Sequence, residues 1–330
     1  MIRILPPIFM LLALAQSVTA ACRGVDIRNH LPASEQAWLE RQMVATPFST
    51  GNHWVARKGN QSLHVVGTMH GGDSRMARVM QHLRPIIATA DAVYLEVTRA
   101  EIEAIDSQIA KHPEDFLLPR GRNLQQLISP SGWQHIKTYA AMTGSNIETI
   151  QYAQPWAVSL FLVPGGGCRP FGFGTKRGLD DRIERFAIRK RIPIGGLETS
   201  GTGFAALARM PLRDQARMLE NQVALAQSNA PEESTSVEAY FDESVWQAFL
   251  LQPRIASQYI PASAKELTRL DRAFYSNMLG WRNRQWMKTI LNLKGDSVVI
   301  AVGAAHLPGK GGILNLLKRQ GYKLERAAFQ

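Results

Sequence analysis

Two of the eight histidines share one local setting. The segments Leu63-His64-Val65-Val66-Gly67-Thr68-Met69-His70 and Val298-Val299-Ile300-Ala301-Val302-Gly303-Ala304-Ala305-His306 each pass from a short β-branched run through Gly-x-x-His. Glu96 closes Ala92-Val93-Tyr94-Leu95-Glu96, and Glu198 closes Ile192-Pro193-Ile194-Gly195-Gly196-Leu197-Glu198. Two imidazoles and one or two carboxylates form a mixed nitrogen and oxygen donor set. Such a set suits divalent Zn, Mn, Co or Fe and leaves positions for water. Metal-bound water ionises near neutral pH and can attack a peptide or ester carbonyl, with the spare carboxylate as general base. Arg282 and Asn283, in Trp281-Arg282-Asn283-Arg284, could anchor a carboxylate or meet a developing oxyanion. Each residue alone also has a plainer role: a turn histidine bonded to backbone, or Arg282 in a salt bridge to a buried glutamate. The repetition of Gly-x-x-His is what favours a common site. His53, His64, His82, His112 and His135 lack that context and read as surface or structural residues.

Convergence needs strands. A short apolar run bounded by turn residues reads as a buried strand, and ligand groups collect at strand carboxyl ends in open α/β sheets. His53 to Lys58 and Ser62 to Gly67 flank Gly59-Asn60, a hairpin signal. Asp73 and Ser74 can cap a helix running to about Ala90, and Ala92 to Val97 is the next strand. Helical signals follow near 100–111, 122–142, 155–163 and 177–190, and read as a helical insertion over approximately 100–190. After the strand ending at Glu198, helices are predicted at about 203–227, 232–251 and 264–293. The last strand leads into a helix from Ile313 to Gln320. The fold class is therefore α/β (α+β), a central mixed sheet flanked by helices.

Other chemistries find little support. The chain has no GxSxG elbow, no HExxH pair and no GxxxxGK[ST] loop. Gly172-x-Gly174-x-x-x-Gly178 misses the dinucleotide spacing, and Gly309-Lys310-Gly311-Gly312 reads as a helix-entry turn.

Residues 1–20, with Arg3 before the apolar run Ile4 to Ala15 and Val18-Thr19-Ala20 at the end, have the form of a signal peptide cleaved near Ala20. A lipidated Cys22 is the weaker reading, because Thr19 stands where a larger aliphatic residue is usual. The expected product is periplasmic or secreted, a single domain over 21–330 with no stable membrane insertion. The formal net charge is +11 and the hydrophobic content 45%. The basic residues are dispersed, and the densest cluster, Arg182 to Arg191, falls on an amphipathic helix. Nucleic acid is therefore not the expected partner. In an oxidising compartment Cys22 and Cys168 would form a disulfide worth about 2–4 kcal/mol, against the rival of two free thiols.

The set Val66-Gly67-Thr68-Met69-His70, Tyr94-Leu95-Glu96, Gly178-Leu179-Asp180, Gly196-Leu197-Glu198-Thr199, Arg282-Asn283 and Val302-Gly303-Ala304-Ala305-His306-Leu307, with Gly309 and Gly321-Tyr322, resembles the TraB/GumN family. That family includes the pheromone-shutdown proteins and the Tiki-type metalloproteases. The resemblance implies a fold related to ChaN-like and erythromycin-esterase-like proteins, with His70, Glu96 and His306 at the site. It further suggests peptide hydrolysis assisted by a divalent transition metal, Mn or Co ahead of Zn. On this reading His70, Glu96, Glu198 and His306 are the metal set, Glu96 is ligand or base, Arg282 is the substrate anchor, and the substrate is a peptide or protein. The alternatives are a non-catalytic protein that sequesters a peptide or envelope component, and a metal-independent esterase-like hydrolase with a histidine base.

Overall fold

The computed structural model describes residues 24–104, 107, 109, 111–163, 178–230 and 234–330. The expected signal peptide, the expected Cys22–Cys168 pair and the glycine-rich stretch before Gly178 lie outside these residues. No helix among the described residues is long and apolar enough to cross a membrane.

The centre is a mixed sheet of six strands: β1 (His53–Lys58), β2 (Gln61–Thr68), β3 (Ala92–Leu95), β4 (Ile194–Gly196), β5 (Ser297–Gly303) and β6 (Lys323–Arg326). Their order is β4-β3-β5-β2-β1-β6. β4, β3, β5 and β2 run parallel, whereas β1 is antiparallel to both β2 and β6. The expected hairpin is present, with Lys58 paired to Gln61 across the Gly59-Asn60 turn.

Both faces of the parallel part are covered, which is why its strands read as nearly continuous apolar runs. Val66, Val93, Val299 and Ala301 face one core, filled by Met76, Met80 and Leu83 of helix Met76–Ala88, by Ile183 and Ala187 of helix Leu179–Lys190, and by Tyr240. Leu63, Val65, Val298, Ile300 and Val302 face the other, filled by Trp286 and Ile290 of helix Arg282–Ile290 and by Ile313 and Leu317 of helix Ile313–Arg319. The alternation along β5 sends successive residues to opposite cores, as the period of two requires.

The structure differs from expectation in several places: the helices expected over 203–227 and 232–251 are each divided, into Ser200–Ala208 and Leu212–Gln227 and into Thr235–Phe241 and Val245–Ala256. The helix expected over 122–142 begins at Pro130, because Ser129 caps it by accepting from Gly132 N–H and Pro130 suits the first helical position. The helix expected over 264–293 is divided: Ala264–Tyr275 and Arg282–Ile290 are joined by a π-helical turn, Ser276–Trp281. β6, Lys-Leu-Glu-Arg, carries only one apolar residue and joins the sheet as an edge strand beside β1.

The topology decides what meets at the centre. β5 lies between β2 and β3, so the chain crosses β5 in passing from one to the other. Sheet order thus reverses on either side of β5, and the carboxyl ends of β4, β3, β5 and β2 line one edge. Such a switch point opens the crevice in which doubly wound sheets bind ligands.

Candidate functional site

Each parallel strand delivers one side chain to that edge. Thr68 of β2 pairs with Gly303 of β5, so the two Gly-x-x-His turns emerge side by side. Gly67 permits this closeness: a Cβ there would lie 3.0 Å from both Cα and Cβ of Ala304, in the second turn. The Tyr240 hydroxyl donates to Gly67 O at 3.1 Å and steadies the first turn. Glu96 follows β3, with its N–H donated to Ala301 O of β5 at 3.1 Å, and Glu198 N–H reaches Glu96 O at 3.3 Å.

Arg282 is the hub. Its Nη2 donates to Glu96 Oε1 and to Glu198 Oε1, and its Nε stands 3.1 Å from both Glu198 oxygens. Trp286 Nε1 donates to Glu198 Oε2 at 2.6 Å, and Gly303 N–H to Glu96 Oε2 at 3.2 Å. Arg282 is 4% exposed. A guanidinium so desolvated persists because its planar fork meets two carboxylates. The preceding π-helical turn contributes Met278 O, which accepts from Arg282 Nη1 at 3.3 Å.

His306 is buried and held by Asn283, the residue after Arg282 on helix Arg282–Ile290. Asn283 donates through Nδ2 to His306 O (3.1 Å) and Gly311 O (2.9 Å), which turns its Oδ1 toward His306 Nδ1 at 2.6 Å. The Nδ1–H tautomer follows. Nε2 is then an acceptor, 3.7 Å from Glu96 Oε2 and 3.5 Å from Arg282 Nη1. The ring leans on Trp286, with centroids 4.4 Å apart.

His70 is the accessible member, its side chain 30% exposed, and its Nδ1 pairs with Asp180 Oδ2 at 3.0 Å. Asp180 lies in the first turn of helix Leu179–Lys190, whose entry is locked to the first Gly-x-x-His by Leu179 N–H donating to Met69 O at 3.0 Å. Gly178 allows that contact, since a Cβ there would fall 2.5 Å from Met69 O, His70 O and Asp180 Oδ1. Two buried oxygens of the site-bearing segments, Thr68 Oγ1 and Asp180 Oδ1, have no hydrogen-bond partner among the described residues.

The electrostatics separate the two imidazoles. Burial opposes charge on His70, but the Asp180 bond and the fields of Asp180 and Glu96 outweigh it and raise the imidazolium to about 9. Burial lowers His306 to about 3, Glu96 only partly offsetting it while Arg282 and His70 add to the depression. Burial also works against Glu96, yet Arg282 first and then the imidazoles hold it well below the usual carboxylate range. For Glu198 burial prevails over its Arg282 bonds, and the carboxyl lies above the ordinary value. The site at neutral pH thus contains a cationic imidazole, a neutral one, and a guanidinium between carboxylates.

The structure brings His70, Glu96, Glu198, Arg282 and His306 together. It does not arrange them as a cage for a divalent ion: the glutamate oxygens bond to Arg282, Trp286 and the Gly303 backbone. Among the described residues no group of three or more His, Cys, Asp or Glu is disposed to hold a metal. The donor set as folded therefore does not fit the expected Mn or Co, and the positive charge at its centre is Arg282. Two participants were not singled out by sequence reasoning. Asp180 carried a signal in Gly178-Leu179-Asp180, and Trp286 carried only its place one turn after Arg282. Of the histidines read as structural, His53 is buried, with Nδ1–H donated to Ala328 O at 2.7 Å and Nε2 3.3 Å from His64 Nδ1.

Comparison with known proteins follows the same residues. The chain is 22% identical over 274 residues to "Uncharacterized protein YbaP" of Escherichia coli (strain K12) and equally to its counterpart in Shigella flexneri, covering 81% of this chain and 94% of each relative. The profile of the TraB/PrgY/gumN family matches residues 52–326, from the start of the hairpin to the end of β6. All five site residues fall within that span, and the chain belongs to the TraB/PrgY/gumN family.

Proposed function

We propose that the protein is an exported hydrolase of peptide or ester bonds in which His70 and His306 act as a complementary acid and base beside Glu96. The carrying observation is that the two imidazoles stand at one sheet edge with opposite partners, His70 Nδ1 on the Asp180 carboxylate, which favours its charged form, and buried His306 Nδ1 on the Asn283 amide oxygen, which leaves it neutral. Titratable groups driven apart by their surroundings mark acid and base roles. His306 Nε2, with Nδ1–H committed to Asn283, takes a proton from water, and the resulting hydroxide attacks the carbonyl carbon. Glu96, 3.7 Å from that nitrogen, stabilises the imidazolium as it forms. His70, cationic and solvent-accessible, gives its proton to the departing amine or alkoxide. Arg282, shared by Glu96 and Glu198, offsets their charge where an oxyanion would develop.

The test is a screen of peptides and activated esters with the wild type, His70→Ala and His306→Ala, before and after exhaustive chelation. Turnover that survives chelation and falls by about 10²–10⁴-fold in each variant is expected. Loss on chelation with recovery in Mn or Co would return the site to a metal-dependent peptidase. Saturable binding of peptides recovered intact would make it a sequestering protein.

A further inference from the structure

A second chemical feature lies on the helices that surround the His306 turn. Helix Val245–Ala256 and the π-helical turn Ser276–Trp281 both pack against the Ala304–His306 turn. Helix Ala264–Tyr275, which leads into the π-helical turn, packs on helix Val245–Ala256; between them Trp246 and Phe249 lie nearly parallel with centroids 5.8 Å apart, and the ring of Tyr275 stands across Phe249 at 5.1 Å and 73°. Asp271 lies one helical turn before Tyr275, on the same face of helix Ala264–Tyr275. All four side chains are partly exposed.

Asp271 is unusual in a chain with eleven more basic than acidic residues. Among the described residues it has no ion-pair or hydrogen-bond partner, and burial without compensation pushes its carboxyl up to about 7. A carboxylate largely withdrawn from water near Tyr275 is costly unless a cation completes it. Aromatic faces attract cations, and the attraction strengthens as water is excluded.

We propose that Trp246, Phe249, Tyr275 and Asp271 form a subsite for a lysine or arginine side chain of the peptide substrate, set between helix Ala264–Tyr275 and helix Val245–Ala256, the latter packed on the Ala304–His306 turn. The aromatic rings take the aliphatic stem and the face of the charged head, and Asp271 pairs with the charge. The assignment rests on the hydrolase reading for its placement within a substrate site, but binding at the subsite is measurable without turnover.

The test is calorimetric binding of two blocked pentapeptides, acetyl-Ala-Ala-Lys-Ala-Ala-amide and its norleucine counterpart, to the wild type, Asp271→Asn and Trp246→Leu. The lysine peptide is expected to bind at least about tenfold more tightly than the norleucine peptide, and Asp271→Asn to remove that difference. Asp271→Asn deletes a desolvated charge at nearly constant shape, so its folding is not at risk, and it keeps the test decisive if Trp246→Leu unfolds. Equal binding of the two peptides by the wild type overturns the proposal, as does an undiminished lysine preference in Asp271→Asn. Lysine preference without cleavage upholds the subsite while removing the hydrolase; cleavage with no such preference does the reverse.

Discussion

Replacing Arg282 by methionine keeps much of the aliphatic bulk and removes the charge that Glu96 and Glu198 share. Both carboxylates are well shielded, with side-chain exposures of 15% and 3%, and both take hydrogen bonds from that one guanidinium. Breaking a buried ion pair from one side costs about 3–5 kcal/mol, because the remaining charge is left unpaired. At roughly 2–4 °C per kcal/mol for a domain of this size class, the melting temperature should fall by about 6–20 °C at pH 8. The sign with pH is fixed by the carboxylates. In the wild type Glu96 is held below its ordinary value by Arg282, so its contribution is present above that value and lost in acid. Without Arg282 burial dominates and both carboxyls rise, so the penalty grows as pH climbs above the ordinary carboxylate value and shrinks as they protonate. Calorimetry at pH 5 and pH 8 measures the difference, and Arg282→Met with Glu96→Gln and Glu198→Gln should recover most of the loss. A deficit identical at the two pH values, or none at pH 8, would refute the shared-charge account.

Turnover should hold a plateau from about pH 4 to 8, since His306 is neutral above about 3 and His70 stays protonated up to about 9. A limb centred near pH 6.5 in kcat/KM would exclude these two imidazoles as the pair. Gly178→Ala should lower stability by about 1–3 kcal/mol and abolish turnover, because the new Cβ collides with the Met69 and His70 carbonyls that set the His70 turn; circular dichroism and melting check that the fold remains, and wild-type activity would count against the geometry. Stability should fall as pH drops from 6.5 toward 4, because the unfolded chain protonates His64 and His306 at their ordinary value while the folded chain resists until about 4 and about 3. Urea midpoints at pH 7 and 5 measure this, and His64→Gln should flatten part of the slope.

Much of the centre was legible in the chain. Apolar runs of strand length, the Gly59-Asn60 turn and the two Gly-x-x-His segments specify buried strands with chemistry at their ends, because burial leaves a local imprint of period two or of continuous hydrophobicity. The sequence also placed Arg282 on a helix leading back to the last strand, and left open whether it would anchor substrate or bind a glutamate. Tertiary structure decided the rest. β5, from the end of the chain, inserts between β2 and β3, and only that order makes Glu96, Glu198 and His306 neighbours. The pairing of His70 with Asp180 spans 110 positions, and no local pattern encodes which carboxylate a histidine will meet. β6 was missed because an edge strand with one apolar residue draws its stability from β1, and the π-helical turn was missed because its flanking helices share one helical pattern. The four residues expected as ligands lie along one edge, whereas the charge between the two carboxylates depended on a guanidinium delivered from the opposite layer. Residue type and periodicity determine what is buried; the distances among buried charges follow from how the layers close.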